Sequence, residues 1–177
     1  MSFPPDLVAM LSAFADAGVR YLVVGGHAVG LHARPRSTKD LDVWLDAAPE
    51  NIRNACAALA RFGVQRELIS ELRRARADEI VWLGRVPARV DFLQALPGVD
   101  FETCWKRRVV ALVGGVRATF IGREDLIANK TAVGRPQDRR DVRALERAGA
   151  LSRGAKAPSA APRTGRRGSK ATGRRKG

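Results

Sequence analysis

The chain has 177 residues, 45% of them hydrophobic and 6% aromatic, with a formal net charge of +14. That suits one compact domain with an aliphatic core. The absence of any run of 18 apolar residues, and of a basic segment leading into an apolar one at the start, gives the expectation of a cytoplasmic protein with no membrane contact. Nine of the 32 basic residues and none of the 18 acidic ones lie in 150–177, so residues 1–149 carry only +5, and two distant cysteines, Cys56 and Cys104, fit reduced thiols rather than a disulfide framework or a zinc site.

In chain order, residues 6–17 read as a helix, because Leu7, Met10, Leu11 and Phe14 recur on one face and Gly18 follows as a stop. Residues 19–24 are a short buried strand. Gly25-Gly26 breaks it, and a short helix is expected over 27–33. A strand follows at 40–45, then a helix at 49–62 with Ile52, Cys56 and Leu59 inward and Gly63 as its stop. A further helix is expected at 67–77 and a strand pair at 80–83 and 89–93. Gly114-Gly115 between 109–113 and 116–121 is a two-residue hairpin signal. Helices at 124–133 and 137–147 close the domain. The predicted class is α+β: a mixed twisted sheet flanked by helices. The domain is expected to end at 149. A basic, disordered tail should fill 150–177, since that segment is too poor in apolar residues to offset its ordering entropy.

Two segments carry chemistry. Asp40 and Asp42 alternate on one strand and so share a face, while Leu41, Val43 and Leu45 turn to the core. Paired carboxylates with phosphate oxygens are a natural Mg²⁺ set; a solvated strand edge is the plainer reading of the pair taken alone. Asp91 lies inside a strand-like stretch between Val90 and Phe92, where an unpaired carboxylate is costly. It either pairs with an arginine such as Arg89 or joins the other two carboxylates, and the second reading requires its strand to lie beside that of Asp40. Gly25-Gly26, at a strand-to-helix turn, would let backbone N–H groups approach a phosphate; a tight turn that binds nothing is the alternative.

A strand, a Gly-Gly turn, a short helix, an Asp-x-Asp strand and a later Asp strand together resemble the DNA polymerase beta-like nucleotidyltransferase superfamily. The stretches Arg36-Ser-Thr-Lys-Asp-Leu-Asp42 and 125–141 resemble the branch of abortive-infection, type IV toxin-like members. The resemblance covers about residues 18–147. It implies a nucleotidyltransferase fold and an enzyme that transfers a nucleoside monophosphate from a nucleoside triphosphate, releasing pyrophosphate. Asp40, Asp42 and Asp91 would be the catalytic, Mg²⁺-holding carboxylates. Gly25, Gly26, Arg36, Thr38 and Lys130 would bind the nucleotide. The second turn position is Gly rather than Ser, so a serine hydroxyl for phosphate is missing.

The acceptor is open between tRNA or other nucleic acid, a protein hydroxyl and a small antibiotic, and a toxin would have a cognate antitoxin as partner. Two other functions stand beside this one: a non-catalytic nucleotide- or partner-binding module of the same fold, and a nucleic-acid-binding protein acting through its basic tail. Asp138 and Asp141, near the start of the last helix, read as capping and dipole residues. His27 and His32 read as ordinary packed or surface histidines. Trp44, Trp82 and Trp105 read as core or groove wall.

Overall fold

The structure is a computed structural model and describes residues 3–86 and 88–154. Among the described residues, seven helices and six strands run in the order α1 (Pro5–Asp16), β1 (Tyr21–Val23), α2 (Gly25–His32), β2 (Asp40–Leu45), α3 (Pro49–Arg61), α4 (Arg66–Arg74), β3 (Val81–Leu83), β4 (Arg89–Leu93), α5 (Phe101–Lys106), β5 (Val109–Val113), β6 (Val116–Phe120), α6 (Arg123–Val133) and α7 (Pro136–Gly154).

The strands form one mixed sheet in the order β3-β4-β2-β1-β6-β5. The pairs β2·β4 and β1·β6 are parallel, and β1·β2, β3·β4 and β5·β6 are antiparallel. This is the α+β class expected from the sequence. The β5–β6 hairpin turns at Gly114 and Gly115, both at positive φ (57° and 85°), as a two-residue turn between twisted strands requires.

One face of the sheet holds the main core. Leu41, Val43 and Leu45 of β2 and Val90 and Phe92 of β4 are fully buried there. Phe14 of α1 meets Tyr21 and Phe92 at ring distances of 5.7 and 6.1 Å. Helix α1 packs on β6 and α3, and α3 packs on α4. Both α1 and α3 end at the glycines that the sequence offers. Val19 N–H donates to Phe14 O and Gly18 N–H to Ala15 O; Val64 N–H to Leu59 O and Gly63 N–H to Ala60 O repeat the pattern.

On the opposite face α2 packs against β2, α6 and α7. Helix α5, absent from the elements expected of the sequence, covers the far end of β2: Phe101 meets Trp44 edge-on at 5.0 Å and stacks on Trp105. Six residues are too few to show helical periodicity. Its one signal is Asp100, whose carboxylate accepts the Thr103 N–H at 2.9 Å as an N-cap. Trp82, expected as core or groove wall, is 58% exposed on the edge strand β3 and does not line the cleft described below. The expected domain end at 149 falls inside α7, which continues to Gly154 because Ala150 and Leu151 extend it without a breaker. The rest of the expected tail, 155–177, lies outside the described residues. Among the described residues no helix is long and apolar enough to cross a membrane.

Asn51 ties the layers together. Its Oδ1 accepts the Arg20 N–H at 2.7 Å, and its Nδ2 donates to Arg20 O and Asp46 O, both at 2.9 Å. Three backbone groups flanking β1 and β2 thus find partners on α3. Asn51→Ala is expected to lower unfolding free energy by about 2–4 kcal/mol, since it removes the partner of the Arg20 N–H and of the Asp46 carbonyl, while Arg20 O keeps the Asp46 N–H at 3.1 Å. Urea denaturation should show the midpoint fall with the slope unchanged.

Candidate active site

The parallel pairing of β2 with β4 sets the site. Its register places Asp42 opposite Asp91 and Asp40 opposite Arg89. Alternation along each strand then puts Asp40, Asp42 and Asp91 on one sheet face, away from the main core. They line a cleft of about 1140 Å³, and so do Gly25, Gly26, Arg36, Thr38 and Lys130. All eight residues singled out in the sequence therefore meet at one cleft.

The glycine turn is shaped by Asp42. Gly25 has φ +57°, and a Cβ there would lie 1.8 Å from Asp42 Oδ2. Backbone conformation and carboxylate both exclude a side chain. At Gly26 a Cβ would fall 2.8 Å from Thr38 Oγ1 and 3.0 Å from Arg36 Nη2. The space that a residue larger than glycine would fill at 26 is taken by a hydroxyl and a guanidinium from the loop before β2. Thr38 Oγ1 also donates to Asp40 Oδ1 at 3.3 Å.

Asp91 is only 7% exposed. Arg89, two residues earlier on the same strand face, forks onto it: Nε to Oδ1 at 2.6 Å and Nη2 to Oδ2 at 2.9 Å. The guanidinium also lies 5.8 Å from the Trp82 ring centroid. Asp91 thus pairs with Arg89, and its strand lies beside that of Asp40 and Asp42, as the other reading requires. Among the described residues no three His, Cys, Asp or Glu side chains are already gathered as a metal-holding group.

Among the described residues Asp42 has no such partner. Burial, then the nearby charges of Asp40 and Asp91, push its carboxyl up to about 6; Lys130 and the Gly26 N–H pull the other way. A carboxylate held up by burial and by like charges is relieved by a cation. Hard oxygen donors on one face suit Mg²⁺, so the residues fit that ion by charge and donor type.

Lys130 is buried, and its Nζ lies 2.7 Å from Asp138 Oδ1 and 3.0 Å from Asp141 Oδ2. Arg36 Nη2 reaches Asp141 Oδ2 at 3.3 Å, and Gln137 Nε2 donates to Asp141 Oδ1 at 2.9 Å. Asp138 keeps the capping bond expected of it, accepting the Arg135 N–H at 3.3 Å. Its larger part, missed in the sequence, is to hold Lys130 at the cleft. The Lys130-x₇-Asp138-x₂-Asp141 spacing is a usable signal: residues 138 and 141 share a helix face that can turn toward α6. The histidines are structural, as expected. His32 Nε2 donates to Ile121 O at 2.7 Å, and His27 meets Phe3 edge-on with its basicity lowered by burial.

A mixed sheet that brings an Asp-x-Asp strand and a second Asp strand into parallel register, behind a glycine turn that opens a helix, is a nucleotidyltransferase fold. Residues 7–152 match the family described as "Nucleotidyltransferase of unknown function (DUF6036)", and the chain belongs to that family. A comparison with the curated proteins finds no match. Among solved structures the chain is similar to the crystal structure of ANT(2")-Ia in complex with adenylyl-2"-tobramycin, with 16% identity and a TM-score of 0.50. That alignment covers 85% of this chain and 97% of the other, and the likeness is one of fold.

The raised Asp42 carboxyl has a thermodynamic signature. Its folded-state value of about 6 exceeds the ordinary 3.8, so the folded chain binds the proton more tightly between those values and loses stability as pH rises through that window. Asp42→Asn removes the effect. In metal-free buffer the variant should be more stable than the parent by about 1–3 kcal/mol at pH 7.5. The difference should vanish near pH 4, as read from thermal melts across pH.

Proposed function

We propose that the chain transfers a nucleoside monophosphate from a Mg²⁺-bound nucleoside triphosphate to a hydroxyl acceptor, releasing pyrophosphate. The observation that supports this most directly is the placement of Asp42 against both Asp91 and the Gly25 backbone. It puts a carboxylate cluster beside the N-terminus of an eight-residue helix, α2, where backbone N–H groups favour phosphate.

In this reading Asp40 and Asp42 would hold Mg²⁺. The bound ion would neutralise triphosphate charge and lower the pKa of the acceptor hydroxyl. The Gly25 and Gly26 turn admits the phosphates closely. Thr38 Oγ1, standing where a side chain at 26 would reach, supplies the hydroxyl that the turn itself lacks. Arg36 and Lys130 add positive charge, and their shared anchor on Asp141 keeps them facing the cleft. Asp91 is placed to take the acceptor's proton once Arg89 releases one of its oxygens. The acceptor oxygen then bonds to the α-phosphorus as the bond to the pyrophosphate oxygen breaks. Adenylyl-2"-tobramycin in the structure of similar fold supports an acceptor that carries a transferred nucleotide.

A second reading is favoured by one contact: Arg89 engages both oxygens of Asp91. If that fork never opens, the site binds nucleotide without turning it over. Mg²⁺-dependent transfer from α-labelled nucleoside triphosphates to total RNA, to the chain itself or to tobramycin separates the two. The transferase reading expects a labelled product with at least one acceptor, lost at least 100-fold in Asp42→Ala and in Asp91→Ala with folding intact. Nucleotide binding with no transfer to any of these leaves the binding module. Growth arrest on expression of the parent but not of Asp42→Ala would support a toxin role with a cognate antitoxin. Arg36→Gln should raise KM for the nucleotide about tenfold with little change in kcat, if its charge contributes to binding both in the ground state and at the transition state.

A further inference from the structure

Helix α7 has two opposed chemical faces. Asp138, Asp141, Leu145 and Gly149 are buried against the fold. Arg139, Arg140, Arg143 and Arg147 are all exposed. At about 100° per residue these four fall within an arc of about 100°, and from first to last they span about 12 Å. Among the described residues none of them has an ion pair, and the two acids that could have neutralised them are turned inward to Lys130. Glu146, at one margin of the arc, is the one exposed acid on the helix between residues 136 and 151. The opposite wall of the cleft differs. There Asp78 pairs with Arg76 at 3.4 Å and Glu79 accepts the Arg76 N–H at 2.8 Å, so its acids are already engaged.

The stripe leads to the site. Arg135, Gln137 and Asp138, at the start of α7, line the cleft. A smaller hollow beside it is bounded by Arg139, Arg143 and Lys130. We propose that the outward face of α7 is a docking track for a polynucleotide, whose terminal hydroxyl it delivers to the cleft. Four like charges held together without counter-ions raise the electrostatic energy of the free protein, and a polyanion lowers it by releasing its own condensed cations. All four residues are arginine, whose planar fork matches phosphate oxygens. With about 3.4 Å of rise per phosphate on one strand, 12 Å spans roughly three or four phosphates. As a docking surface the proposal stands on α7 alone; as the acceptor's track it rests on the transferase reading.

The test is fluorescence anisotropy of a 12-nucleotide single-stranded RNA with a free 3′ hydroxyl, titrated with full-length protein between 50 and 200 mM salt without nucleotide. The comparison is with the fourfold variant Arg139→Gln, Arg140→Gln, Arg143→Gln, Arg147→Gln. The parent is expected to bind at least tenfold more tightly at the lowest salt. Its plot of log affinity against log salt should be steeper by about 2–3, at roughly 0.7 for each phosphate that the variant leaves unneutralised. Glu146→Arg should tighten binding. Since all five side chains are exposed, thermal melts should match the parent. Equal affinity and equal slope in parent and fourfold variant would overturn the proposal, as would no RNA binding by the parent. Competition by poly-glutamate as effective as by RNA would also overturn it, in favour of an acidic protein. If the variant loses RNA binding while the parent transfers label to no acceptor, the docking surface stands and the transferase reading falls.

Discussion

Like-charge repulsion among three carboxylates is the constraint around which this molecule is arranged. Two parallel strands in fixed register put Asp42 and Asp91 side by side, with Asp40 two residues away on the same face. In water such a cluster would be tolerable. On a partly buried sheet face each charge raises the free energy of the next. The chain resolves this unequally. Asp91 receives a full counter-ion in Arg89, while burial first, and then the charges of Asp40 and Asp91, push the Asp42 carboxyl up to about 6, well above its ordinary value. The unrelieved charge sits where a cationic ligand would enter.

The basic residues of the cleft are themselves controlled. A buried lysine without partners would lose its proton or destabilise the fold. Lys130 has its partners in Asp138 and Asp141, and Arg36 reaches the same Asp141 oxygen. The result is a network of two basic and two acidic side chains that joins α6, α7 and the loop before β2. It fixes where positive charge can act on the cleft.

Much of this is legible in the sequence, for a physical reason. Strands with one buried face alternate strictly, so the partner faces of Leu41, Val43, Val90 and Phe92 follow from spacing alone. The glycines at 18, 63, 114 and 115 mark their turns because only glycine sits there without strain. The pairing of β2 with β4 is not legible, since spacing says which way a residue points and not which strand lies next to it. Helix α5 is too short to show a period. Asp138 and Asp141 are explained locally by capping at the start of α7; their bond to Lys130 depends on how α6 and α7 fold back. Trp82 misleads because a large aromatic is usually buried, whereas here the edge strand leaves it beside Arg89.

The contact between Gly25 and Asp42 binds two positions seventeen residues apart into one unit of change. The backbone at 25 leaves room for the carboxylate at 42 and for nothing else, so position 25 cannot gain a side chain while that carboxylate stays. In related chains, a side chain at the first turn position would report that the carboxylate facing it had shrunk or gone. Such a pair of letters would mark a copy that keeps the architecture and has left the chemistry behind.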